Sequence, residues 1–318
     1  MAGWLSSFTS KLSDLLGSKT PSAHVGVFGK HLGWNDHIDD LGLDSEALVA
    51  AKESLYVHGI GGVVDSGKWE AGSAEEPLIA FRHVFLWNDL VNTLLGRMWD
   101  SSDGKGRTKY PMVVCVHLSA RTAPGLPDVR SYLDDLEADC RRAATADEVH
   151  RIVATARERA ASFLASPAPT NIAPSDFARK LGLAATSEEA CRIAYAVESS
   201  FEGLKNGAAA EIDLKLSRSK VQPQHLRVPS DPAQPFESIV FWQNFMKAFL
   251  PESVPQFFLA SLDAPWLDII AGPLTPRHLA CIRSGGKSIP LATEIPFNIP
   301  AIARETARKL WTAYIGAA

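Results

Sequence analysis

Phe81-Arg82-His83-Val84-Phe85-Leu86-Trp87-Asn88-Asp89-Leu90, followed after Trp99 by Pro111-Met112-Val113-Val114-Cys115-Val116-His117-Leu118, sets the fold class of this 318-residue chain. Both runs are rich in β-branched and aromatic residues, and Asn88-Asp89 accepts the left-handed geometry of a tight turn. The pattern predicts a hairpin of residues 81–87 and 90–99 and a third strand over 111–118, an antiparallel meander. The second and third strands are joined by Ser101-Ser102-Asp103-Gly104-Lys105-Gly106-Arg107-Thr108-Lys109-Tyr110. A charged, glycine-rich loop at the mouth of an apolar strand is a usual place for function.

Toward the N-terminus, residues 25–28 read as a short buried strand and residues 44–57 as a helix capped by Asp44 or Ser45, with Leu48, Ala51 and Leu55 at helical spacing. Gly59, Gly61 and Gly62 then predict a sharp loop. From Pro127 to Leu204 the composition shifts to Ala, Glu, Asp and Arg. Thr145-x-x-Glu148 and Thr186-x-x-Glu189 are capping-box patterns ahead of apolar-periodic runs, and Pro167 and Pro169 separate two helical pairs, so four helices are expected. The last third predicts strands over 211–216, 256–262 and 266–271 and a helix over 236–250. Pro276 marks a helix start, and a final amphipathic helix from Asn298 has Ile299, Ile302, Leu310, Trp311 and Tyr314 on its face.

These elements give an α+β chain: a central, largely antiparallel sheet flanked by helices, with an all-helical insertion over 126–205. Residues 21–125 supply one part of the sheet, and residues 206–318 complete the same domain. Residues 1–20 read as a separate amphipathic helix, because Trp4, Leu5, Phe8, Leu12, Leu15 and Leu16 share one face before Gly17 and Pro21. That face is expected to dock on its own domain, on a partner or on a membrane surface, the last disfavoured by the few basic residues.

Hydrophobic residues make up 46% of the chain and charged residues 21%, a globular balance. The net charge of −4 offers no basic field for nucleic acid. Cys115, Cys140, Cys191 and Cys281 form no C-x-x-C pair and fit reduced thiols in a cytoplasmic protein. No run of about 18 apolar residues predicts a membrane span, and no cationic segment opens a secretory leader.

Asp103 and Arg107 lie four residues apart in the loop, close enough to pair; they either brace its shape or contact a partner. His31, Asp36, His37, Asp39 and Asp40 are the densest set of oxygen and nitrogen donors, but their spacing matches no metal motif. They read as a polar loop, with Asp36 as a loop or helix cap. Gly286-Lys287-Ser288 has the tail of a phosphate loop without its leading glycine. Asp65-Ser66-Gly67 offers a serine without a recognisable base, and His58, His83 and His117 are candidates to meet only through the fold. No cofactor and no metal is expected.

Ser101-x-Asp103-x-x-Gly106-Arg107 followed by Tyr110-Pro111-Met112 resembles the S-x-D-x-x-G-R-x-[FY]-P-L signature of the TagF family, accessory proteins of type VI secretion systems. Phe28-Gly29-Lys30 with Asp36 is similar to that family's F-[YF]-G-K-x-P-x-x-G-D-F opening, and Ser238-Ile239-Val240-Phe241-Trp242 is similar to its S-[LI]-W-W segment. The resemblance is concentrated in residues 24–118. It implies a cytoplasmic, non-catalytic regulator that represses or assists a contractile secretion apparatus after translation by binding a forkhead-associated scaffold protein. Gly29, Lys30, Asp36, Ser101, Asp103, Gly106, Arg107, Tyr110 and Pro111 would then be partner-binding or loop-bracing residues. A reading from another class is a hydrolase or small-ligand-binding enzyme using Asp36, Asp103 and nearby histidines.

Overall fold

The computed structural model describes residues 22–72, 76–88, 92–119, 126–165, 173–184, 187–207, 223–251, 254–296 and 298–316. The proposed N-terminal helix, the Asn88-Asp89 turn tip beyond Asn88, Thr186, Pro167, Pro169 and the strand expected over 211–216 lie outside these residues.

Seven strands form one sheet: β1 (Ala23–Gly29), β2 (Arg82–Asn88), β3 (Thr93–Asp100), β4 (Pro111–Leu118), β5 (Gln224–Pro229), β6 (Gln256–Ser261) and β7 (Trp266–Ala271). Their spatial order is β1-β4-β3-β2-β6-β7-β5, and every neighbouring pair is antiparallel. The hairpin strands and the third strand of the meander are present as β2, β3 and β4; β3 runs from Thr93, and Leu90, the expected strand start, lies outside the described residues.

Helices cover both faces. On one lie α1 (Glu46–Ala51), a π-helical segment (Lys52–Gly61), α2 (Gly62–Asp65) and α3 (Lys68–Gly72). The insertion follows as α4 (Leu126–Arg142), α5 (Ala146–Ala160), α6 (Pro174–Lys180) and α7 (Glu188–Gly207), then α8 (Pro235–Lys247), α9 (Pro276–Leu279) and α10 (Ala301–Gly316). Val25, Val114, Val116 and Leu95 pack with Leu133, Val153, Phe201, Phe245 and Trp311 in one core. Phe28, Phe85, Val113 and Ile270 pack with Leu55, Ile60, Trp69 and Leu279 in the other. Two covered faces explain why all of β4 is buried and why it reads as a continuous apolar run instead of alternating.

Several local expectations hold and several do not. Thr145 and Glu148 form the full reciprocal capping box of α5, and Ser45 caps α1 by accepting the Leu48 N–H at 3.3 Å. At the second box Thr186 lies outside the described residues; α7 begins one residue after Ser187, whose Oγ accepts the Ala190 N–H at 3.0 Å. Gly59, Gly61 and Gly62 do not form a loop. They lie in the continuous helical run, because a Cβ on Gly59 would meet Leu279 Cδ1 at 2.2 Å; the missing side chain lets the helix press against α9. β5 escaped the sequence reading, since His225 and Arg227 interrupt its apolar pattern.

The final helix starts at Ala301, later than Asn298, and Ile302 is 84% exposed instead of facing the core. Nine residues at about 100° each place it about 180° from buried Trp311. Among the described residues no helix is long and apolar enough to cross a membrane.

Candidate functional site

The antiparallel register sets Gly29 of β1 opposite Met112 of β4, so the ends of β1 and the β3–β4 loop meet at one end of the sheet. Lys30, the first residue past β1, donates its backbone N–H to the Pro111 carbonyl at 3.0 Å. Its side chain is 3% exposed, and Nζ donates to Asp103 Oδ2 at 2.8 Å and to Asp36 Oδ1 at 2.7 Å. A buried ammonium requires such partners.

Asp103 is the hub. Its Oδ1 accepts the backbone N–H groups of Lys105 and Arg107, each at 3.0 Å, and its Oδ2 accepts Arg107 Nε at 2.6 Å as well as Lys30. Gly106 closes the turn with φ at +76°, in the left-handed region that a β-carbon disfavours. Arg107 then reaches across to Asp36 Oδ1 at 3.0 Å and the Asn35 carbonyl at 2.9 Å. The loop is thereby tied to the segment following β1, and Gly104 N–H adds a bond to the Trp34 carbonyl at 2.7 Å.

Burial opposes ionisation of Asp103, but the Lys30 ammonium and the Arg107 N–H and guanidinium override it and hold the carboxyl well below its usual range. Asp36 is lowered as well, chiefly by its hydrogen bond from Lys30. Both carboxylates therefore stay charged and are engaged by donors, which unsuits them as proton acceptors. The cluster is electrically balanced, two cations against two carboxylates. What it does chemically is fix the shape of a surface.

An aromatic group borders it. His37 Nδ1 lies 2.9 Å from Tyr56 Oη, and the Tyr110 ring centroid is 5.1 Å from that of His37 and 5.6 Å from that of Tyr56. Tyr56 comes from the π-helical segment, a rare conformation found mostly in short pieces near functional sites. Burial and the Lys30 charge lower the His37 pKa, favouring a neutral imidazole.

The structure thus gathers Gly29, Lys30, Asp36, Asp103, Gly106, Arg107, Tyr110 and Pro111, with Ser101 half-buried at the start of the same loop. It does not gather the donor-rich group after β1. His31 Nε2 pairs with the Cys140 carbonyl, Asp39 accepts from Trp34 Nε1, and Asp40 pairs with Lys52, each in a different direction. Asp36 is an ion-pair partner and not a cap.

His58, His83 and His117 are also apart. His83 sits opposite Met98 and His117 opposite Leu94, at the two ends of β3, while His58 lies half-exposed beside Glu53. The Lys287 and Ser288 backbone N–H groups bind the Glu76 carboxylate, which fills the anion position of the incomplete phosphate loop. Asp65-Ser66-Gly67 is a helix end, with Gly67 at φ +65°. Ser238 and Trp242 are buried in α8, where Trp242 Nε1 donates to the Pro229 carbonyl at 2.8 Å, far in role from the charged loop.

Sequence reasoning missed Tyr56, because nothing in the periodicity of residues 52–61 signals a π-helix. It also missed Arg227 and Asp268, buried charges facing each other across β5 and β7. A charge at an inward position of an apolar strand was the available signal. No protein-family model matches this chain, and no curated protein matches it.

Proposed function

We propose that this chain is a non-catalytic interaction protein resembling the TagF family, a post-translational repressor or accessory factor of a type VI secretion system that binds a forkhead-associated scaffold protein. The observation that supports this reading is the form of the Lys30–Asp36–Asp103–Arg107 cluster. The residues of the signature converge, yet Asp36 and Arg107 remain 67% and 49% exposed on an open surface. Two of the surface hollows formed by described residues lie at Glu305, Arg308 and Thr312 and at Gly182, Ser230 and Pro232. Neither includes a member of the cluster. A braced, solvated surface suits recognition of a protein; a hydrolase would need a concave site and a group free to take a proton.

The test is binding of the purified chain to the scaffold protein of its own cell's secretion system, by calorimetry. Arg107→Glu is expected to abolish binding, and Val57→Ser, on the exposed side of the π-helical segment, to leave it unchanged. Absence of binding by the parent chain, or full binding by the Arg107 variant in folded form, overturns the reading.

A further inference from the structure

A second charged cluster lies at the opposite edge of the sheet. Arg227 of β5 and Asp268 of β7 are register partners, 1% and 2% exposed. Arg227 Nε and Nη2 donate to Oδ1 and Oδ2 of Asp268, each at 2.9 Å. Its Nη1 is held by the carbonyls of Ser284, Gly285 and Ile289 at 3.0, 3.0 and 3.2 Å, and its guanidinium lies 4.8 Å from the Trp266 ring centroid. The carboxylate is therefore pinned from one side.

Two further ligand-type groups approach the same carboxylate. His225, two residues before Arg227 on the same face of β5, brings Nε2 to 2.8 Å from Asp268 Oδ1. Cys281, in the 3-10 turn Ala280–Arg283, points its thiol to the same place. An imidazole nitrogen, a carboxylate oxygen and a thiol sulfur lie within 4.8 Å of one another. Bonds of about 2.0–2.3 Å at tetrahedral angles put zinc ligands roughly 3.3–3.8 Å apart, so a contraction of about 1 Å brings the three into position. His278 lies outside this group, its ring centroid 6.4 Å from that of His225 and its Nδ1 engaged by Thr275 Oγ1 at 2.6 Å, so water is left to fill the fourth position.

We propose that His225, Asp268 and Cys281 form a binding site for one zinc-type divalent cation, with Arg227 as the positioning residue that orients the carboxylate. Mixed nitrogen, oxygen and sulfur donors select a borderline-soft ion over magnesium or calcium. Binding requires the Cys281 thiol to release its proton to solvent and His225 to carry its proton on Nδ1, so that Nε2 offers a lone pair. Asp268 Oδ2 keeps its bond from Arg227 Nη2, while Oδ1 gives up those from Arg227 Nε and His225 Nε2 to take the metal, and the retained Arg227 contact fixes the direction of the carboxylate. The site is distinct from the charged loop and independent of the function proposed for it.

Titration of the full-length, tag-free chain with cobalt(II) tests this. One equivalent is expected to bind with a thiolate-to-cobalt absorption band that zinc abolishes by displacement. Cys281→Ser removes the band, Cys191→Ser retains it, and His225→Ala, at a partly exposed position, weakens binding roughly tenfold or more. Zinc-edge X-ray absorption of the unmutated, zinc-loaded protein is expected to show one sulfur at about 2.3 Å, a readout that does not depend on how the variants fold. A missing cobalt band, a band that survives Cys281→Ser, or a zinc shell of nitrogen and oxygen alone overturns the proposal.

Discussion

Asp103 shows how a single side chain sets the shape of ten residues around it. Its four hydrogen bonds come from two backbone N–H groups, one ammonium and one guanidinium, so its removal leaves buried Lys30 with only the exposed Asp36 as partner. Asp103→Asn is expected to lower the melting temperature at neutral pH. Because the folded pKa is depressed, the charge contributes stability above the unfolded value of about 3.9 and that contribution is lost as pH falls through the folded value. The gap between parent and variant, read from denaturant curves, should therefore narrow in acid; a gap that is constant with pH contradicts the bracing role.

His83 works in the same direction by another route. It is buried with Nδ1 unpartnered, and desolvation lowers its pKa from 6.5 to about 4. The unfolded chain binds this proton first, so stability falls on acidification between about pH 6.5 and 4, by up to about 1.4 kcal/mol per pH unit for one group. His83→Leu should flatten that slope, measured by urea unfolding across the range, and an unchanged slope assigns it elsewhere. At this scale the sequence was partly legible. Asp103 and Arg107 declared themselves by a four-residue spacing in a turn, whereas Lys30 and Asp36 join them only through the β1–β4 register, a contact that no local pattern encodes.

Elements were legible where one signal sufficed. Thr145 and Glu148 mark the start of α5 by side-chain chemistry confined to four residues, and Thr145→Ala is expected to cost about 0.5–2 kcal/mol in chemical denaturation. The helical run after Ser45 was misread beyond residue 57 because glycine's local preference for turns was overruled by a tertiary demand. Gly59 lies against Leu279, so Gly59→Val should destabilise by about 1–3 kcal/mol through overpacking, and the reciprocal Leu279→Ala should recover part of that loss in the double variant. Additive losses in the thermal melts would place the strain somewhere other than this contact. The same contact keeps the π-helical segment, and with it Tyr56, beside His37 and Tyr110. Packing on α9 is thus linked to the border of the charged loop.

The sheet is assembled from the two ends of the chain. β1, β4, β3 and β2 come from residues 23–118 and β6, β7 and β5 from residues 224–271, and the two sets join only where β2 pairs β6 from His83↔Ser261 to Asn88↔Gln256. Without that pairing, β2 becomes an open edge with Phe85 and Leu86 stripped of their cross-strand neighbours Leu259 and Phe258. The helical insertion reinforces the dependence, since α4 and α5 share one core with Phe236, Phe245 and Trp311 from the last third. Cooperativity should therefore span the described sheet and insertion. Trp99 reports from the first part and Trp242 and Trp311 from the last, all buried, so tryptophan fluorescence of single-tryptophan-restored variants can follow each part separately. Their thermal transitions are expected to coincide with each other and with the loss of far-ultraviolet circular dichroism, and a fragment of residues 22–125 is expected to remain unfolded. Separate transitions, or a folded fragment, would show that the β2–β6 seam joins two units that stand without it.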